Sequence, residues 1–259
     1  MLERAQAQHW KDNAWLWLRG FLDVEEVRNI ARWTDEIAAW PEEPGKWMRY
    51  YERRGEGDKM LARIENFVPY HPALAELLLG GRIRALLDEL CAEPVVLFKD
   101  KINFKLPGGK GFAPHQDAPA YVDFGVEHHL TLMVPVDPFT RENGCLQIAR
   151  GAHERTFLPQ NTDGTLRADV MQKFAIEPLL AEPSDIIVFD AWVPHDSGPN
   201  RTAGPRRSYY LTFNPASAGD HRAQYYARKR EVFPPEYERK PGVDYAAIGK
   251  QFNLGNPFD

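Results

Sequence analysis

The stretch Phe98-Lys99-Asp100-Lys101-Ile102-Asn103-Phe104-Lys105-Leu106 decides the fold class. Mostly apolar side chains alternate in it with lysine and asparagine, and this two-residue period is typical of a β-strand whose two faces differ. From Val95 onward, similar short runs are separated by Gly, Pro and Asn, which indicates the many strands of a barrel or sandwich. We therefore expect a mainly β core.

The polar face of this stretch has two interpretations. Three lysines and Asn103 share it. It is a solvated sheet edge, or, if helices cover the apolar face, it is a cationic surface inside the barrel that meets anionic ligands. The alternation alone is compatible with both.

Helical patterns precede the β pattern. Asp23-Val24-Glu25-Glu26 has the form of a capping box ahead of apolar residues at helical spacing. His71-Pro72 opens a second, leucine-rich helical segment, whereas the charged segment from Glu52 to Lys59 is polar enough for a mobile loop. We expect a single domain with mainly helical support in residues 1–93, a β core in 94–215 and a C-terminal tail, 216–259, that packs on the core.

The motif His115-Gln116-Asp117 and the distant His195 are candidate metal ligands. In a strand, side chains two positions apart point to the same face, so His115 and Asp117 would present an imidazole and a carboxylate together. Two imidazoles and one carboxylate leave three positions of an octahedron open, as in non-haem Fe(II) oxygenases. One open position suits O2 and two suit a bidentate 2-oxo acid, whereas structural zinc would require a closed site.

A carboxylate clamp is predicted eleven residues beyond His195. The segment Arg206-Arg207-Ser208-Tyr209-Tyr210-Leu211-Thr212-Phe213 alternates as a strand does, with Arg206 and Ser208 on one face. A planar guanidinium meets a carboxylate through two parallel hydrogen bonds, which suits the far carboxylate of 2-oxoglutarate. Arg207, on the opposite face, is the competing candidate.

With these segments the chain resembles the phytanoyl-CoA dioxygenase family of Fe(II)/2-oxoglutarate-dependent oxygenases, from about Leu97 to Phe213. The resemblance is carried by Lys105-Leu106-Pro107-Gly108, Glu142-Asn143-Gly144-Cys145-Leu146, Arg150-Gly151-Ala152-His153, Asp185-Ile186-Ile187-Val188-Phe189 and His195-Asp196-Ser197-Gly198-Pro199-Asn200. It implies a double-stranded β-helix (a cupin-like jelly roll) with flanking helices. It also implies Fe(II) held by His115, Asp117 and His195, with 2-oxoglutarate and O2 as co-substrates.

Other residues are expected to contact 2-oxoglutarate. Ser197, two residues after the last metal ligand, could bind the 2-oxo acid, although a turn residue beside Gly198 is the ordinary alternative. Lys105 and Asn103 are candidates if the polar face of their strand points inward, and Thr131 is a candidate by its position in the chain.

Asp117 separates two reactions of this family. Its halogenating relatives carry a small residue in place of the carboxylate ligand, so that chloride can bind iron. The carboxylate of Asp117 is present here. We therefore expect hydroxylation of an unactivated C–H bond, with release of succinate and CO2, and no chlorination.

The substrate is expected to be a small anion. Positive charge for a carboxylate or an aminoalkylphosphonate such as 2-aminoethylphosphonate is offered by Lys99, Lys101, Lys105, Arg150 and Arg155. Three alternatives remain: a hydroxylase of a lipid, an acyl-CoA or a natural product; a non-catalytic, cupin-like metal-binding protein; and a zinc hydrolase.

Composition argues against several other classes of protein. The formal charge of −5 and the dispersed lysines and arginines predict no nucleic-acid partner. We see neither a signal-peptide pattern after Met1 nor an apolar run long enough to span a membrane, and expect a cytoplasmic monomer or homodimer. Two cysteines, Cys91 and Cys145, are too few for a disulfide framework.

Overall fold

The computed structural model describes residues 2–54 and 58–252, which form eleven strands, seven α-helices and several short 3-10 turns. The strands are β1 (Trp15–Leu18), β2 (Met48–Arg54), β3 (Asp58–Glu65), β4 (Val95–Lys105), β5 (Phe112–His115), β6 (Leu130–Pro135), β7 (Leu146–Ala149), β8 (Ile176–Leu179), β9 (Ile186–Asp190), β10 (His195–Ser197) and β11 (Arg206–Pro215). The helices are α1 (Arg4–Asn13), α2 (Val24–Ala39), α3 (Pro72–Leu79), α4 (Gly81–Cys91), α5 (Ala168–Met171), α6 (Arg222–Val232) and α7 (Tyr245–Ile248).

The strands form two antiparallel sheets. The larger sheet has the order β1-β9-β6-β11-β4-β3-β2, and the smaller sheet has the order β5-β10-β7-β8. Apolar side chains of both sheets, among them Met133, Ile148 and Phe189, form one buried cluster between them. This arrangement is the predicted jelly roll.

Helices cover the outer face of the larger sheet. Helix α2 begins with the predicted capping box at Asp23. Ile37 of α2 and Leu87 of α4 are fully buried in one apolar cluster with Ile102 and Leu211 of the sheet. The opposite face of the same sheet is therefore free to line the interior of the jelly roll. Among the described helices, none is both long and apolar enough to cross a membrane.

The position of β4 within the sheet decides between the two interpretations of its polar face. It pairs with β11 on one side and with β3 on the other, so it is not a sheet edge. Ile102 and Phe104 belong to the cluster beneath the helices. Lys99, Asn103 and Lys105 are also buried. Their face of β4 points into the jelly roll, and the edge interpretation is wrong.

The first 93 residues supply more than helical support. Strand β1 pairs with β9 at one edge of the larger sheet, and the β2–β3 hairpin extends β4 at the other, so the sheet exceeds the predicted core of 94–215. Glu52 and Arg63 of this hairpin are polar although they are buried, so its sequence lacks the alternation of apolar and polar residues that predicts a strand. The loop expected up to Lys59 is mostly strand, and its residues 55–57 lie outside the described residues.

The C-terminal segment lies against the opening of the jelly roll. Tyr225 of α6 and Phe252, in the 3-10 turn at Lys250–Phe252, are buried in one cluster with Phe98 and Tyr121. Residues 253–259 of the predicted tail lie outside the described residues. The part of the tail that is described thus closes one side of the interior.

Candidate active site

Strand pairing brings the three predicted metal ligands together. His115 ends β5, His195 begins β10, and the two residues are direct partners across these antiparallel strands. Their ring centroids are 4.3 Å apart. One ligand atom from each of His115, Asp117 and His195 lies within 4.8 Å of the other two, and all three side chains are buried.

Hydrogen bonds orient both imidazoles. Nδ1 of His115 lies 2.7 Å from the carbonyl oxygen of Ala113, and Nδ1 of His195 lies 3.0 Å from that of Val193. An N–H at Nδ1 donates to each carbonyl, which leaves the lone pair of Nε2 for a metal. Burial and the neighbouring His195 lower the pKa of His115 to about 3, so that its ring is neutral, the form that binds metal ions.

The route by which Asp117 reaches the histidines differs from the prediction. Strand β5 ends at His115, and Asp117 starts the 3-10 turn Ala118–Ala120, so the expectation that one strand face carries both ligands is wrong. Between them, Gln116 is 1 % exposed, and its amide donates a 2.6 Å hydrogen bond to the carbonyl oxygen of Trp192. This bond fixes the turn, and makes Gln116 a positioning residue that the sequence analysis missed.

Two lysines of β4 supply positive charge to Asp117. Burial would raise the pKa of the Asp117 carboxyl, but the charges of Lys101 and Lys99 outweigh burial and hold this pKa below its ordinary value. The group is therefore a carboxylate. Burial in turn lowers the pKa of Lys101 and of Lys99 below the ordinary value of an amine.

The donor set fits Fe(II). Two imidazole nitrogens and one carboxylate match a facial triad, and no fourth histidine, cysteine or carboxylate joins the cluster within the described part of the chain. Such a set leaves coordination positions open, as an oxygenase needs and a structural zinc site does not.

Arg206 lies in a closed polar pocket at the start of β11. Its side chain is 0 % exposed, and its guanidinium lies 4.5 Å from the ring centroid of Phe139. Nη2 and Nε donate to the carbonyl oxygen of Gly144 at 2.6 and 3.2 Å, and Nη1 donates to Oγ of Ser208 at 3.2 Å. The guanidinium is held in one orientation before any ligand binds.

The competing arginine is engaged elsewhere. Arg207 points to the other face of β11, where Nε and Nη2 each donate a 2.8 Å hydrogen bond to the carboxylate of Asp137. A second carboxylate, Asp35, also accepts from it. This ion-pair network explains Arg207 without a ligand and leaves Arg206 as the candidate clamp.

Lys105 and Ser197 share the pocket of Arg206. Lys105 is the cross-strand partner of Arg206, and its Nζ donates to Oγ of Ser197 at 2.7 Å and to the carbonyl oxygen of Gly198 at 2.5 Å. Burial and the charge of Arg206 lower the pKa of Lys105 to about 6. Two further predicted co-substrate contacts therefore lie beside Arg206 and Ser208.

Position 144 beside this pocket requires a glycine. Its φ of +74° belongs to the left-handed region, and a Cβ at this position would lie 2.0 Å from the carbonyl oxygen of Gly198. Any side chain would push the segment of Gly144 away from that of Ser197 and Gly198, and so move the carbonyl oxygen that accepts from Arg206. The Asn-Gly-Cys-Leu segment thus serves to bring a backbone carbonyl close to a guanidinium.

The remaining two co-substrate candidates make other contacts. Oδ1 of Asn103 accepts a 3.1 Å hydrogen bond from Nε of Arg63, and Oγ1 of Thr131 lies 3.1 Å from Oγ1 of Thr212. Both are buried on strands that line the interior. Their contact with 2-oxoglutarate stays a prediction.

A polar cavity adjoins two of the three candidate metal ligands, His115 and Asp117. Its lining residues come from β3, β4, β5 and the C-terminal segment; they are Arg63, Lys99, Lys101, Phe112, His115, Gln116, Asp117, Ala120, Tyr225, Lys229, Gln251 and Phe252. Four of these side chains are basic, and Asp117 is the acidic one. The cavity therefore suits an anion beside the metal site.

The basic residues of this cavity overlap only partly with those that the sequence predicted. Lys99 and Lys101 line it, but Arg150 pairs with Glu177 and Arg155 with Asp190, and both arginines are about half exposed. Lys229, which the sequence analysis missed, replaces them. Its signal was a lysine at helical spacing within the aromatic stripe of α6.

Comparison with known proteins identifies the family. The family model for phytanoyl-CoA dioxygenase matches residues 12–208. The chain is 45% identical over 254 residues to a 2-aminoethylphosphonate dioxygenase from uncultured bacterium HF130_AEPn_1, covering 98% of this chain and 97% of the relative. It is 39% identical over 232 residues to a methylphosphonate hydroxylase from Gimesia maris, covering 90% and 88%.

Solved structures agree on the fold. The structure of EctD from S. alaskensis with 2-oxoglutarate and 5-hydroxyectoine superposes with a TM-score of 0.72 at 20% identity, covering 84% of this chain and 77% of the other. The predicted jelly roll and dioxygenase class are thereby confirmed. The prediction of Fe(II) and 2-oxoglutarate is supported by the cluster of His115, Asp117 and His195 and by EctD structures that hold iron and 2-oxoglutarate. By the extent of the match and the identity to these relatives, the chain belongs to the phytanoyl-CoA dioxygenase family.

Proposed function

We propose that the protein hydroxylates a C–H bond of a small phosphonate, with 2-aminoethylphosphonate as the first candidate. The observation that carries the proposal is the cationic cavity lined by His115 and Asp117, two members of the candidate metal-binding cluster. The relatives named for 2-aminoethylphosphonate and methylphosphonate support it, because a phosphonate is a compact anion that such a cavity suits. The reaction would consume 2-oxoglutarate and O2 and release succinate and CO2.

The residues of the site have separate tasks in this proposal. His115, Asp117 and His195 would hold Fe(II), which when bound supplies the oxidising chemistry that replaces C–H by C–OH. Arg206 and Ser208 would fix the far carboxylate of 2-oxoglutarate, with Lys105 and Ser197 beside them. The burial of all these groups keeps water away from the reacting atoms.

A lipid or acyl-CoA substrate is disfavoured by the character of the cavity. Next to the metal ligands stand Lys99, Lys101 and Arg63, whereas an acyl chain needs an apolar channel at that point. Tyr225 and Phe252 also line this cavity, and the ammonium group of Lys229 lies near both rings.

The test is a coupled assay with the Fe(II)-loaded protein. We expect 2-aminoethylphosphonate to stimulate succinate formation, with one hydroxylated product per succinate, and methylphosphonate to be a weaker substrate because the chain is less similar to the methylphosphonate hydroxylase. The inactive control is His195→Ala. Turnover of an acyl-CoA, with no succinate stimulated by any small phosphonate, would overturn the proposal.

A further inference from the structure

Two ammonium groups in the cavity lack protein partners. Lys99 is 6 % exposed and Lys101 is partly buried, yet within residues 2–54 and 58–252 neither of them makes a hydrogen bond or an ion pair. The protein places aromatic rings beside them. Nζ of Lys99 lies 4.4 Å from the ring centroid of Tyr121 and 5.8 Å from that of Tyr225, and Nζ of Lys101 lies 4.9 Å from that of Tyr210.

The neighbouring cations are all bound to protein groups. Nζ of Lys229 lies 2.6 Å from both carboxylate oxygens of Glu65, and Nη1 of Arg63 lies 3.3 Å from one of them. Nζ of Lys105 has Ser197 and two carbonyl oxygens as acceptors. Among the described basic side chains in and beside the cavity, the absence of partners is therefore particular to Lys99 and Lys101.

Burial without a partner is costly for an ammonium group. Loss of water costs a buried ion several kcal/mol, whereas an aromatic face returns about 0.5–2 kcal/mol. Among the described residues lining the cavity, Asp117 is the carboxylate, and its charge acts on both lysines although it makes no salt bridge with either. The protein therefore compensates the two positive charges only in part, and an anionic ligand would complete the compensation.

We propose that Lys99 and Lys101 together bind the phosphonate oxygens of the substrate and select a phosphonate over a carboxylate. This inference rests on the proposed function. The two residues are two positions apart on β4, about 6–7 Å at the backbone, so that both flexible side chains can reach one group with three oxygens. Two positive charges match a dianion, whereas a carboxylate carries one negative charge and two oxygens.

The inference is tested with Lys99→Met and Lys101→Met, which keep the length of the side chain and remove its charge. In the wild type we expect kcat/KM for 2-aminoethylphosphonate to exceed that for its carboxylate analogue, 3-aminopropanoate. Each variant should raise KM for the phosphonate by roughly 30-fold or more and reduce that preference. KM for 2-oxoglutarate should stay within about twofold. Arg150→Met removes an exposed cation outside the cavity and is the matched control.

A stability measurement separates ligand binding from a structural role. Because the unpaired ammonium groups destabilise the folded protein, Tm of the metal-free Lys99→Met and Lys101→Met variants should equal or exceed that of the wild type. A residue needed for folding would lower Tm instead. Calorimetric titration with 2-aminoethylphosphonate, in the anaerobic complex with Fe(II) and 2-oxoglutarate, should show weakened binding in both variants.

The outcomes distinguish the two proposals. If the wild type binds and oxidises a phosphonate while both variants do so with unchanged KM, or if both variants melt at a lower temperature, the assignment of Lys99 and Lys101 is wrong and the proposed function stands. If the wild type neither binds nor oxidises a phosphonate, both proposals fail. Weakened phosphonate binding with unchanged use of 2-oxoglutarate and an undiminished Tm supports both.

Discussion

The two ends of the interior differ in how their positive charges are compensated. At the Arg206 end, Arg206 and Lys105 donate to carbonyl and hydroxyl oxygens of the protein. At the cavity end, the ammonium groups of Lys99 and Lys101 face aromatic rings. The first end is organised before a ligand arrives, and the second would be completed by its ligand. The same strand, β4, supplies lysines to both.

The two ends also differ in their origin along the chain. Lys105, Ser197, Arg206 and Ser208 lie within residues 12–208, which the family model matches. The wall of the cavity formed by residues 225–252 lies beyond that match. Lys99 and Lys101 lie within the match as well, so the cavity combines residues of the matched part with a wall that lies beyond it.

Removing the carboxylate ligand should have the largest effect, because both ends depend on the metal between them. We expect Asp117→Ala to lower the affinity for Fe(II) and kcat by more than about 100-fold. Anaerobic titration with Fe(II), followed by succinate assays with and without chloride, measures both. Chlorinated product from the wild-type protein would contradict the assignment of Asp117 as a ligand that excludes halide.

Arg206→Ala should weaken the binding of 2-oxoglutarate at the Arg206 end and leave the binding of the phosphonate in the cavity nearly unchanged. Removal of a buried guanidinium from a carboxylate should raise KM for 2-oxoglutarate by roughly 30- to 1,000-fold, with little change in KM for the phosphonate. Arg206→Lys should recover part of the loss, because an ammonium keeps the charge without the planar fork. Equal rises in KM for both substrates would show that the two ends are not separate.

Glu65→Gln tests the ion pairs that hold the cavity wall. It leaves Lys229 buried without a carboxylate, and should lower the free energy of unfolding by about 3–5 kcal/mol at neutral pH. The matched control is Glu177→Gln, which breaks an exposed pair with Arg150 and should cost at most about 1 kcal/mol. Urea denaturation of the metal-free proteins measures both. Equal losses would refute the buried pair as a determinant of stability.

The same pair predicts a dependence on pH. Burial raises the pKa of Glu65, but the charges of Lys229 and Arg63 outweigh it and lower this pKa from 4.5 to about 2. Because the folded state has the lower pKa, the contribution to stability is present above pH 4.5 and is lost as the pH falls towards 2. The difference in unfolding free energy between wild type and Glu65→Gln should therefore narrow as the pH falls from about 5 to 3. A constant difference would contradict the low pKa.

Sequence was sufficient for those parts of the site that depend on residue type and spacing. The candidate ligand set and Arg206 follow from motifs and spacing, whereas the alternation in β4 left open whether its lysines face solvent or the interior. The Glu65–Lys229 pair joins residues 164 positions apart, so neither side chain shows in the sequence why it is buried. The turn at Gln116 depends likewise on the carbonyl group of Trp192, which the chain supplies 76 residues later. Partners distant in sequence decide both features.

The smallest expected effects on KM for 2-oxoglutarate compare two candidate contacts of the co-substrate, Ser208 and Thr131. Ser208 accepts one hydrogen bond from Arg206, and loss of a neutral hydroxyl costs about 1 kcal/mol, so Ser208→Ala should raise KM for 2-oxoglutarate about fivefold. Thr131→Val removes a hydroxyl that is bonded to Thr212, and should leave this KM unchanged unless Thr131 contacts the co-substrate. Steady-state kinetics at saturating phosphonate compares the two. A larger effect at Thr131 than at Ser208 would move the boundary of the co-substrate pocket towards the cavity, because Thr131 and Thr212 are direct partners on β6 and β11, four residues along β11 from Ser208.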